Sequence, residues 1–138
     1  MSLEPDVTRW ALLGSTSNAH FYEIEPRVIA IVPHERSIDD ERTARESVEL
    51  QHAHWRARGA RGGAIVFMDR LVDQRPGARK VYTSVPDPAL ITCFALVGGT
   101  VFGRAAASVF LGLTRPSAPT RVFATYESAL EWVRSVNG

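Results

Sequence analysis

Cysteine is nearly missing: Cys93 stands alone in 138 residues, so no intramolecular disulfide can form. A reducing compartment is the simpler setting for such a chain. Long apolar runs are missing as well, and no stretch approaches the roughly 18 consecutive apolar residues that a membrane span needs. Residues 1–6, Met-Ser-Leu-Glu-Pro-Asp, lack the basic region and apolar run of a secretory signal. Together these readings lead to the expectation of a cytoplasmic protein. Charge of one sign is not in excess. Sixteen basic residues against fifteen acidic ones leave +1, too little to gather nucleic acid or an acidic membrane at long range. Repeats and low-complexity segments are absent. What is present is ordinary: 45% hydrophobic and 22% charged residues, which suit a single globular domain with a core that needs no metal or disulfide staple.

The pattern along the chain predicts an α/β domain. Residues 1–18 form an N-terminal segment with an edge strand over 9–13, ended by the turn-rich Gly14-Ser15-Thr16-Ser17-Asn18. The main domain spans 19–138. It opens with a hairpin: a partly alternating strand from His20, a tight connection at Pro26-Arg27, and the β-branched run from Val28. Ser37 is the expected cap of a helix over 38–58, with Asp39, Asp40 and Glu41 in its first turn and Gly59 as its stop. Ala44, Val48 and Trp55 mark its inner face. A buried strand from Ala64 ends at Asp69, residues 70–77 read as a polar loop, and Pro76 opens a short helix through Tyr82. The run from Ala89 to Val97 is apolar on both faces, as a central strand covered on both sides should be. A helix over 100–113, a strand from Arg121 and a final helix capped by Thr125 complete the chain. Strands alternating with helices after a hairpin predict a mixed sheet with parallel pairs and helical cover.

Residue patterns for catalysis or metal binding are scarce. His52 and His54 are two apart on a helix and point about 200° apart, whereas a helical zinc pair needs i, i+4 spacing. His20 and His34 are scattered, and a lone cysteine adds no structural zinc site. Cys93 lies inside an apolar strand, where a thiol keeps a high pKa and is inert. No Gly-x-Ser-x-Gly elbow occurs. Gly98-Gly99-Thr100-Val101-Phe102-Gly103 opens a helix and could offer backbone N–H groups to an anion. It lacks the Lys-Ser/Thr of a phosphate loop and the glycine order of a dinucleotide site. Close helix–sheet packing is the simpler role of these glycines. No cofactor and no metal are expected, and Trp10, Trp55 and Trp132 read as core or half-buried anchors.

The tail Arg121-Val-Phe-Ala-Thr-Tyr-Glu-Ser-Ala-Leu-Glu-Trp-Val, together with the element order, resembles the STAS/SpoIIAA-like family over about residues 19–136. That ending looks like the strand and "eeAlxWL" helix of the family's SEC14-related bacterial branch. Gly77-Ala-Arg-Lys-Val resembles its short helix after the third strand. The resemblance implies a SpoIIAA-like fold and a regulatory or binding role. One departure matters. Anti-sigma antagonists of this family carry a phosphorylated serine after the central strand, but no serine or threonine lies between Asp69 and Thr83 here. The resemblance therefore implies the fold without that switch.

Two kinds of function follow as expectations. The first is a non-enzymatic interaction or regulatory module that binds a protein partner or itself. The second, implied by the likeness to SEC14 domains, is a carrier of a small lipophilic molecule with peripheral membrane contact. Both rest on the nearly uncharged helix over 100–113, apolar around most of its girth. Phe102, Arg104, Val109, Phe110 and Leu113 are its candidate binding residues. Asp69 and Arg70 join them, because they sit past the carboxyl end of a strand, where open α/β sheets bind ligands. An enzyme using Asp69 and Asp73 with Arg70 is the third and weakest reading.

Overall fold

The computed structural model describes residues 5–100, 103, 105, 107 and 116–138. It is an α/β fold built on a mixed six-stranded sheet whose strands lie in the order 11–15, 19–25, 28–33, 62–67, 91–97 and 120–123. Strands β1 (Ala11–Ser15), β2 (Ala19–Glu25) and β3 (Val28–Pro33) run antiparallel, with Leu12 opposite Tyr22 and Phe21 opposite Ile31. Strands β5 (Gly62–Phe67), β7 (Ile91–Val97) and β8 (Thr120–Phe123) then add in parallel. The edge strand β1 lies two residues beyond the expected 9–13. The turn of the β2–β3 hairpin places Arg27 at φ 68°.

The parallel strands β3 and β7 are buried along their whole length, which is why their sequences are apolar on both faces. Alternation then divides the core. Phe21, Ile29, Ile31, Ala64, Phe94 and Leu96 pack under helix α1 (Glu41–Arg58) and helix α2 (Pro76–Ser84). Val28, Ala30, Ile65, Phe67, Cys93 and Val97 pack under the terminal helix α3 (Tyr126–Asn137), joined by Trp10. Gly103, Ala105 and Ala107 are helical. Ala107 is buried in the first of these clusters, while Ala105 is exposed.

Local chemistry sets the helix ends and corrects two expectations. Asp40, not Ser37, caps α1: its carboxylate accepts from Thr43 N at 2.9 Å, and Thr43 Oγ1 accepts from Asp40 N at 2.8 Å. This reciprocal pair satisfies two donors at once and starts the helix at Glu41. The residues before it form a short strand, β4 (Ser37–Asp39). The expected loop over 70–77 also contains a strand, β6 (Leu71–Gln74), which pairs in parallel with β4 as a second, two-stranded sheet. Gly59 ends α1 in the left-handed conformation at φ 62°, which a residue without Cβ adopts freely. Thr125 caps α3 by accepting from Ser128 N at 3.2 Å, as expected. Among the described residues no helix is long and apolar enough to cross a membrane.

Candidate functional site

The small sheet positions the site. In a strand, successive side chains face opposite sides. In β4, Ile38 is 41% exposed and Asp39 only 6%; in β6, Leu71 is 7% exposed and Val72 49%. Asp39 and Leu71 thus turn toward the main sheet while Ile38 and Val72 face water.

Behind them lies a cavity of about 60 Å³, near the carboxyl ends of the parallel strands. Its apolar wall is Ile31, Val66, Met68, Leu71, Phe94 and Leu96. Its polar side is Asp39, Ser47, Gln51, Gln74 and Tyr82. A lobe of about 30 Å³ shares Asp39, Ser47, Leu71 and Tyr82 and adds Thr43 and Asn18.

Helix α1 supplies Thr43, Ser47 and Gln51 at i, i+4, i+8, a polar row beside the apolar row Ala44, Val48 and Trp55. All six are buried. Helix α2 supplies Tyr82, and β6 supplies Gln74. Three neutral donors converge on the Asp39 carboxylate: Thr43 Oγ1 at 2.7 Å to Oδ1, and Tyr82 OH at 2.7 Å and Gln74 Nε2 at 3.2 Å to Oδ2. Among the described residues no basic side chain makes an ion pair with it. Burial raises the Asp39 pKa above its ordinary value against the pull of those three hydrogen bonds. The Tyr82 hydroxyl is pushed well above the usual tyrosine value by its own burial and by the carboxylate beside it.

Among the described residues, two amide oxygens at the cavity have no hydrogen-bond partner: Gln51 Oε1 and Gln74 Oε1. Gln51 Nε2 donates to Ser47 Oγ at 3.2 Å. Turning that amide over would strand its NH2 in place of its oxygen, so one end of Gln51 is unpaired either way. Gln74 Nε2 donates to Asp39 Oδ2, which orients its amide. Buried polar groups are usually satisfied, and Gln51 is only 1% exposed.

Of the candidate residues from the sequence, the described ones, Asp69 and Arg70, do not line this cavity. Phe102, Arg104, Val109, Phe110 and Leu113 lie outside the described residues. Asp69 sits in the 3-10 turn Met68–Arg70 and binds the start of the following helical segment. It accepts from Gly99 N at 3.1 Å, Thr100 N at 3.2 Å and Thr100 Oγ1 at 3.0 Å. The chain's own carboxylate thus occupies the position where the Gly98-Gly99-Thr100 turn could hold an anion. Asp73 pairs instead with Arg75 at 3.2 Å, so the two carboxylates have separate partners. Arg70 carries its charge toward His34, whose pKa is lowered first by burial and then by His20 and Arg70. His52 Nε2 accepts from Asp87 N at 3.0 Å, a bond between α1 and the loop before β7. Cys93 is buried, and burial raises its pKa.

The cluster around Asp39 escaped the sequence reading. Asp39 and Asp40 looked alike as first-turn acids, although only one could cap the helix. The available signal was the Thr43-x3-Ser47-x3-Gln51 row, polar at helical spacing and one step from the apolar row.

A family model described as Domain of unknown function (DUF7793) matches residues 22–137, a span that contains every named residue of the Asp39 cavity except Asn18 and Ala19 in its lobe. No curated protein and no solved structure matches the chain.

Proposed function

Since the chain belongs to the DUF7793 family, and that description leaves the activity open, we propose from the geometry that it is a non-enzymatic, regulatory binding module of the STAS/SpoIIAA-like kind that holds a small ligand in the Asp39 cavity. The observation that carries this reading is Gln51 Oε1, buried without a hydrogen-bond partner at a cavity that also holds Asp39, a carboxylate with no ion pair among the described residues. Apolar walls with a few convergent polar groups are what ligand sites are made of. The STAS-like part is supported by the hairpin followed by alternating strands and helices.

The carrier reading is supported by the same apolar wall, and the volume limits its cargo. A cavity of about 60 Å³ has room for about four waters, so it suits a small molecule or the head of a larger one. Native mass spectrometry of gently purified protein, wild type beside Gln51→Leu, tests the proposal. The expected result is an added mass on the wild type that disappears on denaturation and is reduced in the variant. An apo mass for both proteins overturns it.

A partner-binding reading draws on a different observation. Ile38 and Val72 are exposed on adjacent strands of the small sheet, on the outer side of the wall that bears Asp39 and Leu71. A protein that docks there would sense what fills the cavity. Loss of partner capture or self-association in Ile38→Asp and Val72→Asp, with folding intact, supports it. Unchanged association in both removes this surface.

A further inference from the structure

Taking the Asp39 cavity as a binding site, we infer that its ligand carries a small protonated amine, and that Asp39, Gln51 and Gln74 form the seat of an alkylammonium head. Counting lone pairs leads there. A carboxylate offers about four acceptor sites, and Thr43, Tyr82 and Gln74 fill three of those on Asp39. One remains on Oδ1. Gln74 Oε1 adds a further acceptor without a partner, and Gln51 Oε1 adds another in the orientation in which its Nε2 donates to Ser47 Oγ. An ammonium head has three donors and no acceptor, so it matches this set in number and sign.

The competing chemistries fit less well. A carboxylate or phosphate would meet acceptors and a like charge. A hydroxyl brings a single donor and leaves other buried oxygens unpaired, each at a desolvation cost. Among the described residues no cluster of three His, Cys, Asp or Glu side chains exists to hold a metal. The charge argument agrees with the count. Asp39 is 6% exposed and its partners are all neutral, and a buried carboxylate is best matched by an opposite charge with hydrogen bonds. The apolar wall of Ile31, Met68 and Leu96 accommodates a short alkyl chain. Room for about four waters corresponds to about four non-hydrogen atoms, the size of propylammonium.

The experiment is a protein NMR titration with methyl-, ethyl- and propylammonium chloride. Sodium chloride at matched ionic strength, 1-propanol and sodium propionate serve as comparisons. Saturable shifts of the Ile31 and Leu96 methyls with the ammonium series, at least tenfold weaker with 1-propanol and absent with sodium chloride and propionate, are expected. Asp39→Asn should weaken propylammonium at least tenfold. Gln51→Leu, which leaves the carboxylate in place, should weaken it severalfold and keeps the test open if the first variant fails to fold. Propanol binding as tightly as propylammonium, sodium alone producing the same shifts, or Gln51→Leu binding unchanged, overturns the amine and leaves the cavity as a binding site. No saturable shift with any probe overturns both.

Discussion

Asp39 is a carboxylate held by three neutral donors, and its ionisation should be visible in the stability of the whole protein. Its folded pKa is raised by burial, while the unfolded value is about 3.9. The folded state therefore binds this proton more tightly. The stability it contributes is fully present below the unfolded value and is lost as pH rises through the folded one. Urea midpoints of the wild type, referenced to Asp39→Asn, should fall as pH rises from about 4 through that window; a flat difference would show no raised pKa. A second prediction concerns Gly103, where an added Cβ would run into the Asp69 carboxylate that binds Thr100. Gly103→Ala should lower stability by about 1–3 kcal/mol, read from the denaturant midpoint; an unchanged midpoint would mean Asp69 can move aside. At this scale the sequence was a good guide where one property decided the outcome. Cys93 and Trp55 are apolar and buried, and Gly59 is the left-handed stop. It failed at Asp39, because the difference between a solvated and a buried aspartate lies in Tyr82 and Gln74, 43 and 35 residues away.

Helix α1 shows how one element serves two roles. Its apolar row covers the sheet, and its polar row Thr43, Ser47 and Gln51 borders the cavity. Thr43 has a role at each end of that division: its hydroxyl donates to Asp39 and accepts from Asp40 N. Thr43→Val should cost about 1–3 kcal/mol and weaken any ligand bound at Asp39. Loss of stability with ligand affinity intact would place Thr43 in the cap alone. Helix α3 offers a simpler comparison: Thr125→Ala removes the hydroxyl that accepts from Ser128 N, and about 1 kcal/mol should be lost by urea denaturation. A loss near zero would assign the helix end to packing instead. The long elements were legible because periodicity accumulates over their length. Strands β4 and β6 were not, since they are three and four residues long and at least half of each is polar. Their pairing is decided by tertiary contact rather than by local pattern.

The whole molecule is a sheet with one edge made by the N-terminal strand. Strand β1 lies outside the family match, yet it pairs along β2, and Trp10 just before it packs within 5.8 Å of Tyr126 and 6.1 Å of Phe67, ring centre to ring centre. Removing residues 1–15 should leave β2 as an unprotected edge, and unpaired edges recruit other chains. The truncated protein should unfold at lower urea and sediment as larger species with rising concentration; an unchanged midpoint and a monomer at all concentrations would make β1 dispensable. The mixed sheet was legible from the order of elements, whereas the cavity was not, because it forms where β3, β4, α1, β5, β6, α2 and β7 meet. The small sheet over that cavity is a single layer, and its two sides are told apart only by the parity of the chain. Inserting a single residue between Glu35 and Ser37 with β4 slipping by one would exchange the two sides: Ile38 would point into the chamber and Asp39 into water. The same composition, shifted by one step, would make a greasy plug with a charged exterior. The site is therefore written in the phase of three residues as much as in their identity.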